Sequence, residues 1–228
     1  MKSKYRHEIK FVISPEAATI LKQRLDLLMT IDKNYATDDY RYYIRSLYFD
    51  TVDSDSYFEK IDGVLFRKKY RLRYYNQDPS FIILECKHKH DNMSLKEKIR
   101  IDHSTAVALA NNESIDVNYE QGNLLHRFLL ERIHAALIPS TIVDYYRLAY
   151  VYEPLNVRIT FDDAMTSGNF STDFFAKDYA GVPILKTNEV IMEMKFDEVI
   201  PEYIFKTVAS IPSVRQAISK FVICRGLK

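Results

Sequence analysis

Polar and apolar positions alternate along much of this chain. Successive side chains of a β-strand point to opposite faces, so alternation with a period of two predicts a strand with one polar and one apolar face. Eight segments follow this pattern. The predicted strands are residues 5–13, 40–50, 64–75, 81–89, 95–102, 142–152, 156–162 and 189–197.

Helical patterns separate several of these strands. Ser14 and Pro15 are typical N-cap and first-turn residues, and they begin a predicted helix that runs through Met29. Apolar residues at helical spacing predict a second long helix over 124–137. Shorter helices are expected at 53–61, 104–111, 201–211 and around Lys220. The stretch 164–186 is expected to be irregular, with a hairpin or a lid.

Charged side chains share one face in six of the predicted strands. On the strand 64–75, for example, Arg71 and Arg73 alternate with Leu72 and Tyr74. The six charged faces carry Arg6, Glu8 and Lys10; Arg67, Lys69, Arg71 and Arg73; Glu85, Lys87 and Lys89; Lys96, Lys98 and Arg100; Arg158 and Asp162; and Glu193, Lys195 and Asp197.

Two interpretations fit these charged faces. For a single antiparallel strand, a polar face that meets bulk water is ordinary. A sheet of this breadth, however, usually curls or closes. If it closes with the helices outside, the charged faces line the interior. We therefore expect an α+β fold: an eight-stranded antiparallel β-barrel around a tunnel, with helices packed outside.

Composition narrows the class of protein. The chain has 228 residues, of which 47% are hydrophobic, and no long linker, so we expect a single domain over 1–228. A formal net charge of +1 is lower than expected for a dedicated nucleic-acid coat protein, but it leaves room for a concentrated basic site. Two cysteines are too few for a disulfide scaffold, and no apolar segment resembles a signal peptide or a membrane-spanning helix. These features predict a cytoplasmic protein.

The predicted interior carries a surplus of positive charge. Enclosed charges are costly unless they are compensated, so this surplus calls for a multivalent anion. The carboxylates are hard oxygen ligands that suit Mg²⁺ or Mn²⁺. The eleven cations are Arg6, Lys10, Arg71, Arg73, Lys87, Lys96, Lys98, Arg147, Arg158, Lys195 and Lys220, and the four carboxylates are Glu8, Glu85, Asp162 and Glu193.

An ordered series of short motifs points to one family. The motifs are RHEIKF at 6–11, IRSLYFDT at 44–51, KYRLRYY at 69–75, LECK at 84–87, KEK at 96–98, YR at 146–147, VRITFD at 157–162, MEMKF at 192–196 and SKF at 219–221. With these motifs the chain resembles the VTC-type polyphosphate polymerase domain, a branch of the triphosphate tunnel metalloenzymes. The resemblance runs nearly end to end.

The resemblance implies a fold, an activity and a set of site residues. Members of this branch have an eight-stranded tunnel and use a metal to move the γ-phosphate of ATP onto a growing polyphosphate chain. By position, the phosphate-binding residues would be Lys10, Arg71, Arg73, Lys87, Lys98, Arg147, Arg158, Lys195 and Lys220, and the metal ligand would be Glu193. We assign the catalytic roles to Lys10, Arg71, Arg73, Lys87, Lys98 and Arg158.

Other charged residues complete the expected site. Arg6 and Lys96 are added as substrate contacts. Arg45 is added as a substrate contact at the tunnel mouth, and a surface arginine beside tyrosines is an equal alternative for it. Glu8 and Glu85 are added as metal ligands, and each could instead be a charge partner of neighbouring lysines. Glu193 has a similar alternative, an internal salt bridge.

The first motif departs from the wider superfamily. Its hallmark there is Glu-x-Glu-x-Lys, whereas this chain has Arg6 at the first position. The change removes a carboxylate and adds a cation, which favours the polymerase branch over the triphosphatase and adenylyl cyclase branches. The resemblance also implies ATP and polyphosphate as ligands, and a membrane-embedded partner subunit that would hold the domain at the inner face of the membrane.

Several other functions stay open or are excluded. With water as the acceptor, the same tunnel would be a tripolyphosphatase or nucleoside triphosphatase, and without chemistry it would be a polyphosphate-binding module. RNA binding is disfavoured because most tyrosines fall on the uncharged faces. A phosphate-binding G-x-x-x-x-G-K-[ST] loop is absent from the sequence. Cys86 is interpreted as a core thiol. His88 and His90 are not interpreted as a zinc site, because the sequence offers no third ligand near them.

Overall fold

A computed structural model describes residues 5–34, 37, 39–91, 93–115, 121–168, 173–177, 181–186 and 188–226. The strands are β1 (Arg6–Ile13), β2 (Thr30–Ile31), β3 (Tyr42–Asp50), β4 (Phe66–Tyr75), β5 (Asp78–His90), β6 (Met93–Ile101), β7 (Ile138–Tyr152), β8 (Val157–Ser167), β9 (Val182–Pro183), β10 (Val190–Phe196) and β11 (Val214–Arg215). The helices are α1 (Pro15–Leu25), α2 (Asp55–Ile61), α3 (His103–Ala110), α4 (Leu124–His134), α5 (Glu202–Ala209) and α6 (Lys220–Arg225).

Within the described residues, eight antiparallel strands form a closed ring. The order is β7-β3-β4-β5-β6-β1-β10-β8, and β8 pairs again with β7. The junction of β1 with β6 is the shortest, with two residue pairs, Arg6 with Ser94 and His7 with Met93. The expected α+β class and antiparallel sheet are confirmed, and each of the eight predicted segments forms a strand of this ring.

Element ends account for most differences from the prediction. The helix α1 ends at Leu25 rather than Met29, because the backbone N–H groups of Leu27 and Leu28 bond three residues back, to the carbonyls of Arg24 and Leu25, as in a turn. The helix α4 ends at His134 rather than at 137. In the stretch 164–186, β8 runs on to Ser167 and pairs with β9 as a hairpin. Residues 169–172 and 178–180 of that stretch lie outside the described residues.

Two apolar cores lie between the ring and the helices outside it. One joins β3, β4 and β5 to α3 and α4, with Leu47, Leu84 and Phe128 at its centre. The other joins β1, β8 and β10 to α1 and α5, where Leu21 and Ile204 are fully buried. The helices thus remove most of these apolar strand faces from water, and the opposite faces turn to the interior of the ring.

A third apolar cluster lies on the inward faces of the ring. Ile44 and Tyr48 of β3 belong to this cluster, whereas the alternate residues Leu47 and Phe49 belong to an outer core. The helix α6 packs here through Phe221, whose ring centroid lies 5.2 Å from that of Tyr48. The expectation that the helices pack outside is therefore wrong for α6, because its apolar side chains cover the inward face of β3.

The helices of the described ranges do not include one with the length and hydrophobicity needed to cross a membrane.

Candidate active site

The charged faces of the ring strands meet at one cavity. Its volume is about 1080 Å³, and every strand of the eight-strand ring contributes side chains to it. Among the described residues, sixteen lysines and arginines but only five aspartates and glutamates line it. The formal surplus of eleven positive charges contrasts with a net charge of +1 for the whole chain. Positive charge is therefore concentrated in the cavity.

A guanidinium pair on β4 lies deep in this cavity. The Glu85 carboxylate accepts hydrogen bonds from Arg71 Nε at 2.7 Å and Lys96 Nζ at 2.9 Å, and Arg73 lies 3.8 Å away. Burial opposes ionisation of Glu85, but these three cations hold its pKa well below the usual value. One carboxylate therefore serves three cations, which leaves a local surplus of positive charge.

Neutral side chains complete the coordination of these arginines. The Tyr48 hydroxyl accepts a hydrogen bond from Arg71 at 2.8 Å. Arg73 donates to Ser46 Oγ at 3.0 Å and to the Tyr145 hydroxyl at 3.1 Å. These contacts fix the orientation of the guanidinium groups without neutralising them.

Two further carboxylates lie on neighbouring strands. The register of β1 with β10 sets Glu8 opposite Lys195 and Lys10 opposite Glu193, so the two carboxylates are diagonal neighbours. Glu8 is 2.6 Å from Lys87 Nζ and 3.0 Å from Lys10 Nζ, and Glu193 is 2.9 Å from Lys195 Nζ. Although burial raises them, the pKa values of both carboxylates are lowered overall by the surrounding lysines.

These carboxylates fit a divalent metal that is shared with a phosphate ligand. The described part of the chain contains no group of three or more acidic, His or Cys side chains suited to a metal ion. Mg²⁺, however, is usually bound by one or two carboxylates together with substrate phosphates. The diagonal pair Glu8 and Glu193 meets that requirement. Glu85 is engaged by three cations, which favours its alternative role as a charge partner.

The last helix contributes a cation to the cavity. Lys220, the first residue of α6, lies 2.7 Å from the fully buried Asp162, which also accepts two hydrogen bonds from Arg147 at 2.6 and 2.7 Å. Burial raises the pKa of Asp162, but Arg147 and Lys220 lower it by a larger amount. The pKa is therefore below its usual value, and this carboxylate is ionised. Asp162 thus fixes Arg147 and Lys220 at the wall.

The remaining predicted residues lie nearer the rim of the cavity. Arg158 pairs with Asp32, and Arg6 pairs with Asp197 at 2.9 Å. Lys98 is exposed and faces the same cavity. The structure therefore brings together fourteen of the fifteen candidates: Arg6, Glu8, Lys10, Arg71, Arg73, Glu85, Lys87, Lys96, Lys98, Arg147, Arg158, Glu193, Lys195 and Lys220.

Arg45 is the candidate that the structure places elsewhere. It occupies the outward parity of β3, between Ile44 and Ser46, and is 3% exposed. Its guanidinium donates to Asp144 at 3.1 Å and to the backbone carbonyls of Phe174 and Ala176. Arg45 therefore lies away from the expected tunnel mouth and is buried rather than at the surface. It joins β3 to β7 and to the segment 173–177.

Some cavity residues did not belong to the predicted site. The additional cations are Lys60, Arg67, Lys69, Lys89 and Arg215. Tyrosines line the cavity as well, although most had been expected on uncharged faces: they are Tyr42, Tyr48, Tyr75 and Tyr145. The inward face of β3 carries neutral residues, and on β7 the neutral Tyr145 shares the inward face with Arg147. A search for alternating charge therefore overlooks Tyr42, Tyr48 and Tyr145.

Comparison with known proteins identifies the family. The sequence profile of the VTC domain matches residues 5–227, nearly the whole chain. No curated protein matches. A Hippeastrum protein described as an adenylyl cyclase candidate with dominant triphosphatase activity superposes with a TM-score of 0.57, at 16% identity over 97% of this chain and 95% of that one. An adenylate cyclase candidate from Bacillus halodurans superposes with a TM-score of 0.52, at 16% identity over 92% of this chain and 88% of that one. At these identities the likeness shows the fold alone.

Proposed function

The chain belongs to the VTC domain family, and from this premise we propose that it is a metal-dependent polyphosphate polymerase. It would transfer the γ-phosphate of ATP to a growing polyphosphate chain. The observation that carries the proposal is the enclosed surplus of positive charge, with sixteen cations against five carboxylates among the described residues that line the cavity. In this view the eight-strand ring is the barrel and the cavity its tunnel, within one domain over 1–228.

Enclosed cations favour a linear phosphate polymer as the ligand. Each phosphate of such a chain carries negative charge, so a chain can compensate many cations at once where a single anion cannot. Arg71 and Arg73 suit the phosphates because a planar guanidinium donates two parallel hydrogen bonds to phosphate oxygens. The lysines act as point charges that hold a chain without fixing its register.

Positioning and charge neutralisation account for the reaction. The terminal oxygen of the polyphosphate attacks the γ-phosphorus, the bond from that phosphorus to the β–γ bridging oxygen breaks, and ADP leaves. The attacking oxygen is already anionic, so no protein base is needed. Arg71, Arg73, Lys10, Lys87, Lys98 and Arg158 would hold donor and acceptor in line and stabilise the negative charge of the transition state.

Glu193 and Glu8 are the residues that would hold the divalent cation, Mg²⁺ or Mn²⁺. Such a cation neutralises charge on the phosphate oxygens and polarises the γ-phosphorus. Both carboxylates are ionised and already face lysines within 3.0 Å. The two side chains therefore supply the negative charge that would draw a cation into an otherwise positive cavity.

Hydrolysis is the second candidate function. The cavity carboxylates could orient water as the acceptor, which would make the protein a tripolyphosphatase or nucleoside triphosphatase. Arg6 argues for synthesis, since a cation there replaces a carboxylate of the hydrolytic branches. A non-catalytic polyphosphate-binding module would need the same cations but no metal. The membrane-embedded partner and the cytoplasmic location stay predictions.

Product analysis tests the proposal. Purified protein given ATP and Mn²⁺, with and without a short polyphosphate primer, should make long chains that an exopolyphosphatase degrades. Release of orthophosphate alone would reject synthesis in favour of hydrolysis. Binding without turnover would identify the binding module.

A further inference from the structure

The inward face of the hairpin β4–β5 changes in character along its length. Near the turn, the register sets Arg71 opposite Glu85, a pair of unlike charges. Farther from the turn, it sets Lys69 opposite Lys87 and Arg67 opposite Lys89. Like charges directly opposite each other destabilise a sheet. Two successive pairs of this kind therefore need a reason outside the sheet itself.

Four cavity cations form a cluster at this open end of the hairpin: Lys60 from α2, Arg67 and Lys69 from β4, and Lys89 from β5. We call them the open-end cluster. Lys87, by contrast, is held by Glu8 at 2.6 Å. Burial is the largest cause that lowers the pKa values of all three lysines of the cluster, and neighbouring cations lower them further. Asp50 acts against this at Lys69, and Glu8 acts against it at Lys89. The cluster is thus positive and poorly compensated.

Lys69 is the best defined member of the cluster. Its Nζ atom is shielded from solvent and has no hydrogen-bond partner among the described residues. The nearest aromatic contact is Phe221 of α6, with Nζ 4.4 Å from the ring centroid. A shielded ammonium group without a hydrogen-bond acceptor is costly, so this position favours an anion as a partner.

The charged groups around Lys69 do not supply that anion. Asp50 at the end of β3 and Glu59 on α2 raise the pKa of Lys69 without bonding to it. Lys60 and Arg67 lower that pKa and so oppose the two carboxylates. The carboxylate of Asp50 already accepts hydrogen bonds from the backbone N–H groups of Ser56 and Tyr57. Burial therefore dominates and lowers the pKa of Lys69 to about 7.

We propose that the open-end cluster is a subsite for distal phosphates of a linear phosphate chain, beyond the phosphates held by Arg71 and Arg73. The identity of the ligand as a phosphate chain rests on the proposed function. Arg67 and Arg73 are six residues apart on one strand, which corresponds to roughly 20 Å. A triphosphate is shorter than this distance, so it cannot contact Arg73 and Arg67 at the same time, whereas a long chain can.

Binding of two inorganic ligands to matched variants tests this subsite. The ligands are tripolyphosphate and polyphosphate of several tens of units, and affinities are measured by calorimetry without ATP. Lys69→Met should weaken long-chain binding about tenfold, the scale of one charge-assisted hydrogen bond, and leave tripolyphosphate binding within about twofold. Lys68→Met is the control, because Lys68 is adjacent on β4, faces outward and pairs with Glu131 at 2.7 Å. It should change neither affinity.

Proton uptake gives a second readout. Since binding of an anion favours the charged ammonium, long chains should take up a proton on binding near pH 8, seen as a dependence of the heat on the buffer. Lys69→Met should remove most of this uptake. Should this variant fail to fold, Arg67→Gln replaces it. Arg67→Gln should likewise weaken long-chain binding and leave tripolyphosphate binding nearly unchanged.

The outcomes separate the two proposals. The subsite would be overturned if Lys69→Met weakened the binding of both ligands equally, or if it left the binding of long chains unchanged. A protein that binds long chains as expected but makes none from ATP would reject the polymerase and retain the subsite.

Discussion

Two buried arginine–carboxylate pairs of this protein have opposite surroundings. Arg45 and Asp144, outside the ring, are each 3% exposed, and backbone carbonyls take up the remaining donors of Arg45. Arg71 and Glu85, inside the ring, share their environment with Arg73 and Lys96. The outer pair is balanced, whereas the inner carboxylate faces three cations. Burial alone therefore does not mark a functional charge; an uncompensated surplus does.

Removing the balanced arginine should have the largest effect. Arg45→Ala leaves Asp144 buried without its main cation, so the free energy of unfolding should fall by about 3–5 kcal/mol. Denaturant unfolding measures this loss. Arg41→Ala is the control: Arg41 pairs with Asp163 at a partly exposed site, so its loss should cost only about 1 kcal/mol. Equal effects of the two variants would contradict the contrast.

Removing an unbalanced arginine should affect turnover instead. Arg71→Ala leaves Glu85 paired with Lys96 at 2.9 Å, so the melting temperature should change little. The turnover of ATP should fall about 10³-fold, because an arginine that stabilises the transferred phosphoryl group has an effect of that order. Activity assays alongside thermal unfolding check both parts, with Lys68→Ala as the control. An unfolded Arg71→Ala would mean that the charged face is structural.

The carboxylate pair offers a test of metal binding. Glu193→Gln removes one of the two charges that would hold the cation, so Mn²⁺-dependent turnover should fall about 10²-fold. Polyphosphate affinity should be retained, since the loss of a carboxylate makes the cavity more positive. Titration of activity against Mn²⁺, with calorimetry of polyphosphate binding, measures the two effects. Unchanged turnover would remove Glu193 from the metal site and support the alternative of an internal salt bridge to Lys195.

A smaller effect should appear in the pH dependence of stability without ligand. Because the pKa of Lys69 is lowered to about 7, the unfolded chain binds one more proton than the folded protein between that pH and the ordinary lysine value. This contribution makes the free energy of unfolding rise with pH across that window. Below the window Lys69 is charged in both states, so the full cost of burying its charge lowers stability. Lys69→Met should therefore be a few degrees more stable than the native protein near pH 6, with the difference shrinking toward pH 10.

Thermal unfolding across this range checks the prediction. A variant that is less stable than the native protein near pH 6 would show that Lys69 supports the fold through its contact with Phe221.

Alternating charge was sufficient to predict the ring and most of the cavity. The faces of β1, β4, β5, β6, β8 and β10 could be assigned from parity alone, because each mixes ionised with apolar residues at a strict period of two. Their convergence followed from closing the sheet. The two-residue strands β2, β9 and β11 could not be found in this way, since two residues have no period.

The strand β3 shows where this reasoning fails. Its inward face carries Tyr42, Ile44, Ser46 and Tyr48, so neither face is clearly charged, and Arg45 was assigned to the wrong side. The position of α6 was missed for a related reason. Phe221 and Cys224 are apolar enough for either side of the sheet, and only their contacts with inward residues decide between the two.

A structure with tripolyphosphate and Mn²⁺ would show where the phosphates bind. We expect phosphates inside the ring, in contact with Arg71 and Arg73, and a metal at Glu193 and Glu8. Phosphates bound only to the outer surface, with the cavity cations paired among themselves, would contradict this expectation.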